Sequence, residues 1–280
     1  MSLVAIIGAG EIGGAVARAL ASRSRVDAVR LIDDQKSIAA GKVLDLLQSG
    51  PISGSDTRID AAADLAAVSG AEAIVLADGA SGPLDGEHGL ALLRRLHQGG
   101  YLDSAVLVCA SASHSALMQR AFDELELPRR RVIGSAPEAL AATGRMLAAV
   151  EARAASNQVA LTVIGKPDKF LIPWTDASIA GHAALSMLTP PQLRQIERRL
   201  HGLWPPGAGA LGTAAALFCE AVDGGSSRRV FSAFVSLDRD NGTRAPVCAW
   251  PVSIGADGLE RVTRPSLSPR DQIVVDEVLQ

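Results

Sequence analysis

Short apolar, β-branched runs alternate with Ala/Leu-rich stretches of helical spacing through the first half of the chain. Leu3–Ile7, Ala28–Ile32, Ala73–Ala77, Ala105–Cys109 and Arg131–Ile133 read as buried strands. Between them, Ile12–Ser22, Lys42–Gln48, Leu90–His97 and His114–Glu124 carry their apolar residues at helix spacing. Strand–helix alternation of this kind predicts a parallel sheet wound with helices on both faces. The second half changes character. Arg145–Arg153 reads as a helix, Val159–Ile164 as a strand, Pro190–Leu200 as a helix capped by Thr189, and Gly212–Val222 as another helix. Val230–Leu237 and Val247–Ile254 alternate on either side of the turn-rich Asp238–Pro246, a hairpin signature, and Pro269–Leu279 forms a last helix after Ser268.

Composition narrows the function classes. The 280 residues carry 27 Lys plus Arg against 30 Asp plus Glu, a net charge of −3, which gives no bulk electrostatic case for nucleic acid or an anionic membrane. Arg129-Arg130-Arg131 runs straight into a strand and reads as its solvated edge. Hydrophobic residues make up 48%, enough for a substantial core, yet no run approaches the ~18 uninterrupted apolar residues of a membrane span. Met1–Leu20 lacks a basic leader and carries Glu11 amid glycines, so it does not read as a signal peptide. Cys109, Cys219 and Cys248 are widely spaced, with no CxxC. That pattern predicts free thiols in a reducing cytoplasm and no metal site.

The strongest motif is at the start. Leu3–Ile7 runs directly into Gly8-Ala9-Gly10-Glu11-Ile12-Gly13, and a helix follows at once. Gly8 permits the tight turn, Gly10 lets backbone approach a pyrophosphate, and Gly13 lets the helix pack close to the strand. The helix has Gly10 and Glu11 where a capping Ser or Asp would stand, so its free amides are expected to await a ligand. Asp33 ends the next strand, where a carboxylate accepts both ribose hydroxyls of adenosine and repels a 2′-phosphate. The expected cofactor is therefore NAD. The expected fold is α/β: a Rossmann doubly wound parallel sheet over 1–134, then an α+β substrate-type domain over 135–280.

At these residues the chain resembles the NAD-dependent lactate/malate dehydrogenase family. Ala40–Leu46 is similar to that family's helix after the second strand, and Arg131–Gly134 to its strand leading into the catalytic helix. Val163-Ile164-Gly165, followed by Pro173-Trp174-Thr175, resembles the frame around its catalytic histidine. Ile254–Gly258 and Leu267-Ser268-Pro269 resemble its C-terminal strands and last helix. The resemblance implies contacts to NAD(H) from Gly8, Gly10, Glu11, Ile12, Gly13, Asp33 and Gly79, a small anionic substrate, and a homodimer or higher homo-oligomer through the helix containing Gly41–Gln48.

It also implies a chemistry whose parts are missing here. In that family a histidine moves a proton while hydride passes to nicotinamide, an aspartate orients it, and one arginine grips the substrate carboxylate while a second closes over it on a lid. The family's Gly-Glu-His-Gly-Asp-Ser segment reads Gly165-Lys166-Pro167-Asp168-Lys169-Phe170, so Pro167 takes the histidine's place. In the same register the aspartate falls on Leu140 and the carboxylate-binding arginine on Thr143. Arg145 lies two residues on, about 200° around a helix. Ala80–Gly89 contains no arginine and is about ten residues shorter than a closing lid. The asparagine usual after the fourth strand is Ala110. Replacement catalysts, if any, would come from His88 beside Glu87, His114 after Ser111-Ala112-Ser113, or Lys166 with Asp168 and Lys169. The bland alternatives are a loop tip, a helix cap and a solvated turn.

Overall fold

The structure, a computed structural model, describes residues 2–167, 169–225, 229–237 and 246–279. The chain opens with β1 (Leu3–Ile7), α1 (Glu11–Arg23), β2 (Ala28–Ile32), α2 (Lys36–Ser53), β3 (Arg58–Ala62) and β4 (Ala73–Leu76). A two-residue pair, β5 (Asp78–Gly79) and β6 (Gly82–Pro83), leads to α3 (Gly86–Gln98), β7 (Val106–Cys109), α4 (His114–Glu124) and β8 (Val132–Gly134). The second half holds α5 (Ala136–Ala152), β9 (Val159–Ala160), β10 (Ile164–Lys166), β11 (Lys169–Leu171), β12 (Ser178–Ile179), β13 (His182–Ala183) and α6 (Ala184–Met187). It ends with α7 (Pro190–His201), α8 (Ala208–Asp223), β14 (Phe231–Val235), β15 (Cys248–Gly255), β16 (Gly258–Val262) and α9 (Pro269–Leu279).

The first six long strands pair in parallel in the order β3-β2-β1-β4-β7-β8, a Rossmann-type sheet with β1 at its centre. Strands flanked by helices on both faces have no solvent side, which is why β4 and β7 are apolar and buried at every position. The sheet does not stop at Gly134. Phe234 of β14 pairs antiparallel with Gly134, and β15, β10 and β11 extend the same sheet; β16 pairs with β15. Among the described residues this makes eleven strands in one layer.

Several elements differ from the sequence expectation. The edge strand β3 carries only Ile59 as a buried aliphatic anchor, and Arg30 binds Asp60 across it at 2.7 and 2.8 Å, so it has no apolar run to reveal it. Helix α2 is far longer than 42–48; Gly41, Gly50 and Pro51 weaken its propensity signal. Helix α5 starts at Ala136, not Arg145, with Pro137 in its first turn. The expected strand 159–164 divides. Val159–Ala160 joins a small sheet with β12 and β13, while Ile164–Lys166 enters the main sheet. The hairpin strands β14 and β15 pair as expected, and residues 238–245 of their connection lie outside the described residues.

Candidate functional site

Strand β1 ends in Gly8, whose φ of +106° no ordinary side chain tolerates. A Cβ on Gly13 would lie 1.9 Å from the Gly8 carbonyl oxygen, so α1 is pressed against the turn as expected. The expectation that its first amides are free is not met. Glu11 N–H donates to Asp78 Oδ2 at 2.8 Å, and Ile12 and Gly13 N–H donate to Asp78 Oδ1 at 2.8 and 3.1 Å. A Cβ on Gly10 would fall 2.3 Å from Asp78 Oδ2, so the space this glycine leaves is filled by a carboxylate. The reason is topological. Strand β4 runs parallel beside β1, with Ile7 level with Leu76, and the pairing continues until Gly10 N–H meets the Asp78 carbonyl at 2.8 Å. An acid at position 78 therefore arrives at the positive end of α1 and makes charge-assisted bonds there. Sequence reading passed over Asp78; its one signal is an acid directly after the apolar run Ala73–Ala77. Lys42, also passed over, donates its ammonium to the Gly10 carbonyl.

Asp33 sits where expected, at the end of β2, and is 5% exposed. Its Oδ2 accepts from Ala9 N–H at 2.7 Å and Ala80 N–H at 2.9 Å, and its Oδ1 from Gln35 N–H at 2.9 Å. Burial pushes its pKa up, but the amide donors of Ala9, Ala80 and Gln35 outweigh that and hold it below the usual carboxylate value. Of roughly four acceptor positions on a carboxylate, three are used.

The segment after Gly79 is a tight β5–β6 hairpin, and α3 begins at Gly86 rather than near Leu90. Gln35 Nε2 donates to Ser81 Oγ at 3.0 Å, and Asp33 holds Ala80. The short connection is thus stapled to the end of β2. His88 lies in the first turn of α3 instead of on a loop tip. It is exposed, and Glu87 binds Arg120 at 2.8 Å. A cavity of about 340 Å³ opens here, lined among others by Gly8, Asp33, Gly79, His88 and Arg95.

His114, first residue of α4, is 1% exposed. Its Nδ1 accepts from Ser111 N–H at 3.3 Å. Burial lowers its pKa to about 4, only partly opposed by Asp85, the Leu84 backbone and Asp78, so it is neutral near pH 7. Beyond it, Pro167 lies in the turn joining β10 to β11, where half-buried Lys166 pairs with Lys169; Asp168 is outside the described residues. Leu140 is buried in α5, and Thr143 Oγ1 donates to the Ala139 carbonyl at 3.1 Å. Arg145, also on α5, donates to the Leu161 carbonyl at 3.2 Å. It binds Glu138 Oε1 at 2.6 Å, and the buried Glu138 also takes Arg229 at 3.0 Å and Ser232 N–H at 2.9 Å. Cys109 is buried, which pushes its thiol up to about 12, and Cys219 and Cys248 are buried too. Among the described residues no three His, Cys, Asp or Glu side chains gather as metal ligands, and no helix is long and apolar enough to cross a membrane.

Tested against a dinucleotide, the Asp33 end of this strip fits in part and its middle does not. The cavity beside Asp33 has the position for a nucleoside, with one carboxylate acceptor position left where two ribose hydroxyls were expected. Next to it the amides that would take a diphosphate already hold Asp78.

The comparisons place the chain among known proteins. Residues 2–95 match the family model for the lactate/malate dehydrogenase NAD binding domain. The chain is 28% identical to a malate dehydrogenase of Thioalkalivibrio sulfidiphilus over 298 aligned residues, which cover 100% of this chain and 96% of that protein. Its fold matches a Cryptosporidium parvum lactate dehydrogenase solved with lactic acid and nicotinamide adenine dinucleotide, with a TM-score of 0.85 at 22% identity over 99% of this chain and 94% of the other. It matches the Aeropyrum pernix malate dehydrogenase equally well, with a TM-score of 0.85 at 21% identity over 99% and 95% of the two chains.

Proposed function

We propose that this protein belongs to the lactate/malate dehydrogenase family, which its matches support, and that it binds NAD(H) but does not turn over malate or lactate. The observation that carries the reading is the chemistry at three positions. Pro167 has no titratable group, Leu140 has no charge to orient one, and Thr143 spends its hydroxyl on the Ala139 carbonyl. Each group of the catalytic set is typically worth ~10²–10⁴ in rate, so their joint loss leaves no route for the proton. Gly8, Gly10, Glu11, Ile12, Gly13, Asp33 and Gly79 remain the proposed cofactor strip. The three buried cysteines, none of them in a disulfide, agree with a cytoplasmic protein. The exposed Ile38, Leu44 and Leu47 on α2 support a homo-oligomer through that helix, while Ala39, Val43 and Leu46 face inward.

Absorbance at 340 nm, with purified protein, NAD and malate or lactate, is expected to show turnover at least ~10⁴-fold below the ~10 s⁻¹ of an ordinary enzyme. A rate near that ordinary value overturns the reading. One observation favours a second reading, an oxidoreductase acting on a different small hydroxy or oxo substrate. Of the candidate proton carriers, His88 is exposed and reaches a cavity, the one beside Asp33 at the nucleoside end of the strip, whereas His114 is buried and Lys166 does not line that cavity. A screen over neutral alcohols and other 2-hydroxy acids separates the two. Turnover abolished by His88→Ala establishes the second reading, and no turnover on any of them keeps the first.

A further inference from the structure

We infer that Asp78 is a built-in occupant of the diphosphate subsite: its carboxylate closes the amino end of α1 and lowers affinity for phosphate-bearing nucleotides while leaving the neighbouring nucleoside cavity open. The inference rests on the NAD(H) reading and specifies how that site is regulated. The three amides of Glu11, Ile12 and Gly13 converge on the two oxygens of Asp78, and the space above Gly10 holds the same carboxylate. A phosphate seeking those donors meets both a filled site and a like charge, and it must break three charge-assisted bonds to enter. The main chain of Asp78 cannot easily retreat. Its carbonyl accepts from Gly10 N–H, and its residue pairs with Pro83 in the β5–β6 hairpin. What remains is rotation of one short side chain, so Asp78 acts as a side-chain gate on a fixed backbone. The cavity beside Asp33 is not part of this plug, since Asp78 does not line it.

The test is calorimetric titration of the wild-type chain, Asp78→Asn and Asp78→Ser with NADH, ADP-ribose and adenosine, with circular dichroism establishing that each protein is folded. Two variants guard against one failing to fold, and Ser retains a hydroxyl acceptor at the helix end. NADH and ADP-ribose are expected to bind both variants at least about thirtyfold more tightly than wild type, and adenosine within about twofold in all three. Equal NADH affinity in wild type and folded variants overturns the gate while leaving the NAD(H) reading standing. Adenosine tightening in step with NADH also overturns it, because the effect would then not lie at the phosphate subsite. Absence of NADH binding by every folded protein removes the NAD(H) reading and the gate with it.

Discussion

The amino end of α1 and the flank formed by α5 and the β10–β11 turn both keep their charges satisfied from within, but by different means. At α1 the partner is one side chain, Asp78, set against backbone amides that any anion could use. At α5 the partner is a closed set, Glu138 with Arg145, Arg229 and the Ser232 amide, while Pro167, Leu140 and Thr143 stand at the positions of the expected chemistry. The first region is one substitution away from being a generic anion site. On the proposed reading, the second is several substitutions away from moving a proton. Backbone donors do not depend on side-chain identity, whereas a catalytic constellation does.

The largest effect should come from Glu138→Ala. It leaves the largely buried Arg145 with only the Leu161 carbonyl and the Ser232 amide without the Glu138 carboxylate, and breaking a buried pair from one side costs about 3–5 kcal/mol. Denaturant unfolding measures it, and a loss under about 1 kcal/mol would show that the α5 set is not closed. Next is the acid response of His114. Its folded pKa of about 4 lies below its unfolded value, so the unfolded chain takes the proton first. The stability tied to keeping it neutral is therefore present above about pH 6.5 and lost as pH falls toward 4, by about 3 kcal/mol in full. Stability measured against pH should be flatter by that amount in His114→Asn; parallel curves would contradict its burial as a neutral group.

Smaller is the cost of opening the α1 end. Asp78→Ala should destabilise the ligand-free protein by about 1–2 kcal/mol, as loss of a helix cap does, and a thermal melt reads it. Pro167→His should raise malate or lactate turnover by less than about tenfold, because the new imidazole would still lack an orienting acid and a carboxylate grip. A hundredfold gain in the 340 nm assay would mean that the α5 side retains more of the site than its residues suggest. Leu44→Glu, on the outward face of α2, should leave stability within about 0.5 kcal/mol yet convert the proposed oligomer to monomer by light scattering. An unchanged mass would move the interface elsewhere.

How much of this was legible depends on the range of the signal. The buried strands β1, β4 and β7 announce themselves because a strand covered on both faces must be apolar throughout, β2 because Arg30 is its one polar residue, and α4 because its apolar residues recur at helix spacing. β3 stayed hidden because an edge strand needs little apolar surface, and α2 because glycine and proline interrupt it. In the site, the Gly8 turn and the placing of Asp33 followed from spacing alone. The backbone donors that claim Asp33 did not, nor did the burial of His114 under the Leu84–Asp85 segment.

By itself the sequence determined the alternation of the central buried strands with the helices around them, the glycine turn at the head of α1 and the residue types left at Pro167, Leu140 and Thr143, since each is a matter of local pattern or identity. Only the tertiary structure decided what those amides hold. Asp78 stands 67 residues from Glu11 along the chain, and the two meet because β4 lies parallel beside β1 and ends at the same level. Periodicity reports which face of an element is buried; it carries no information about which side chain a neighbouring strand will deliver to its end.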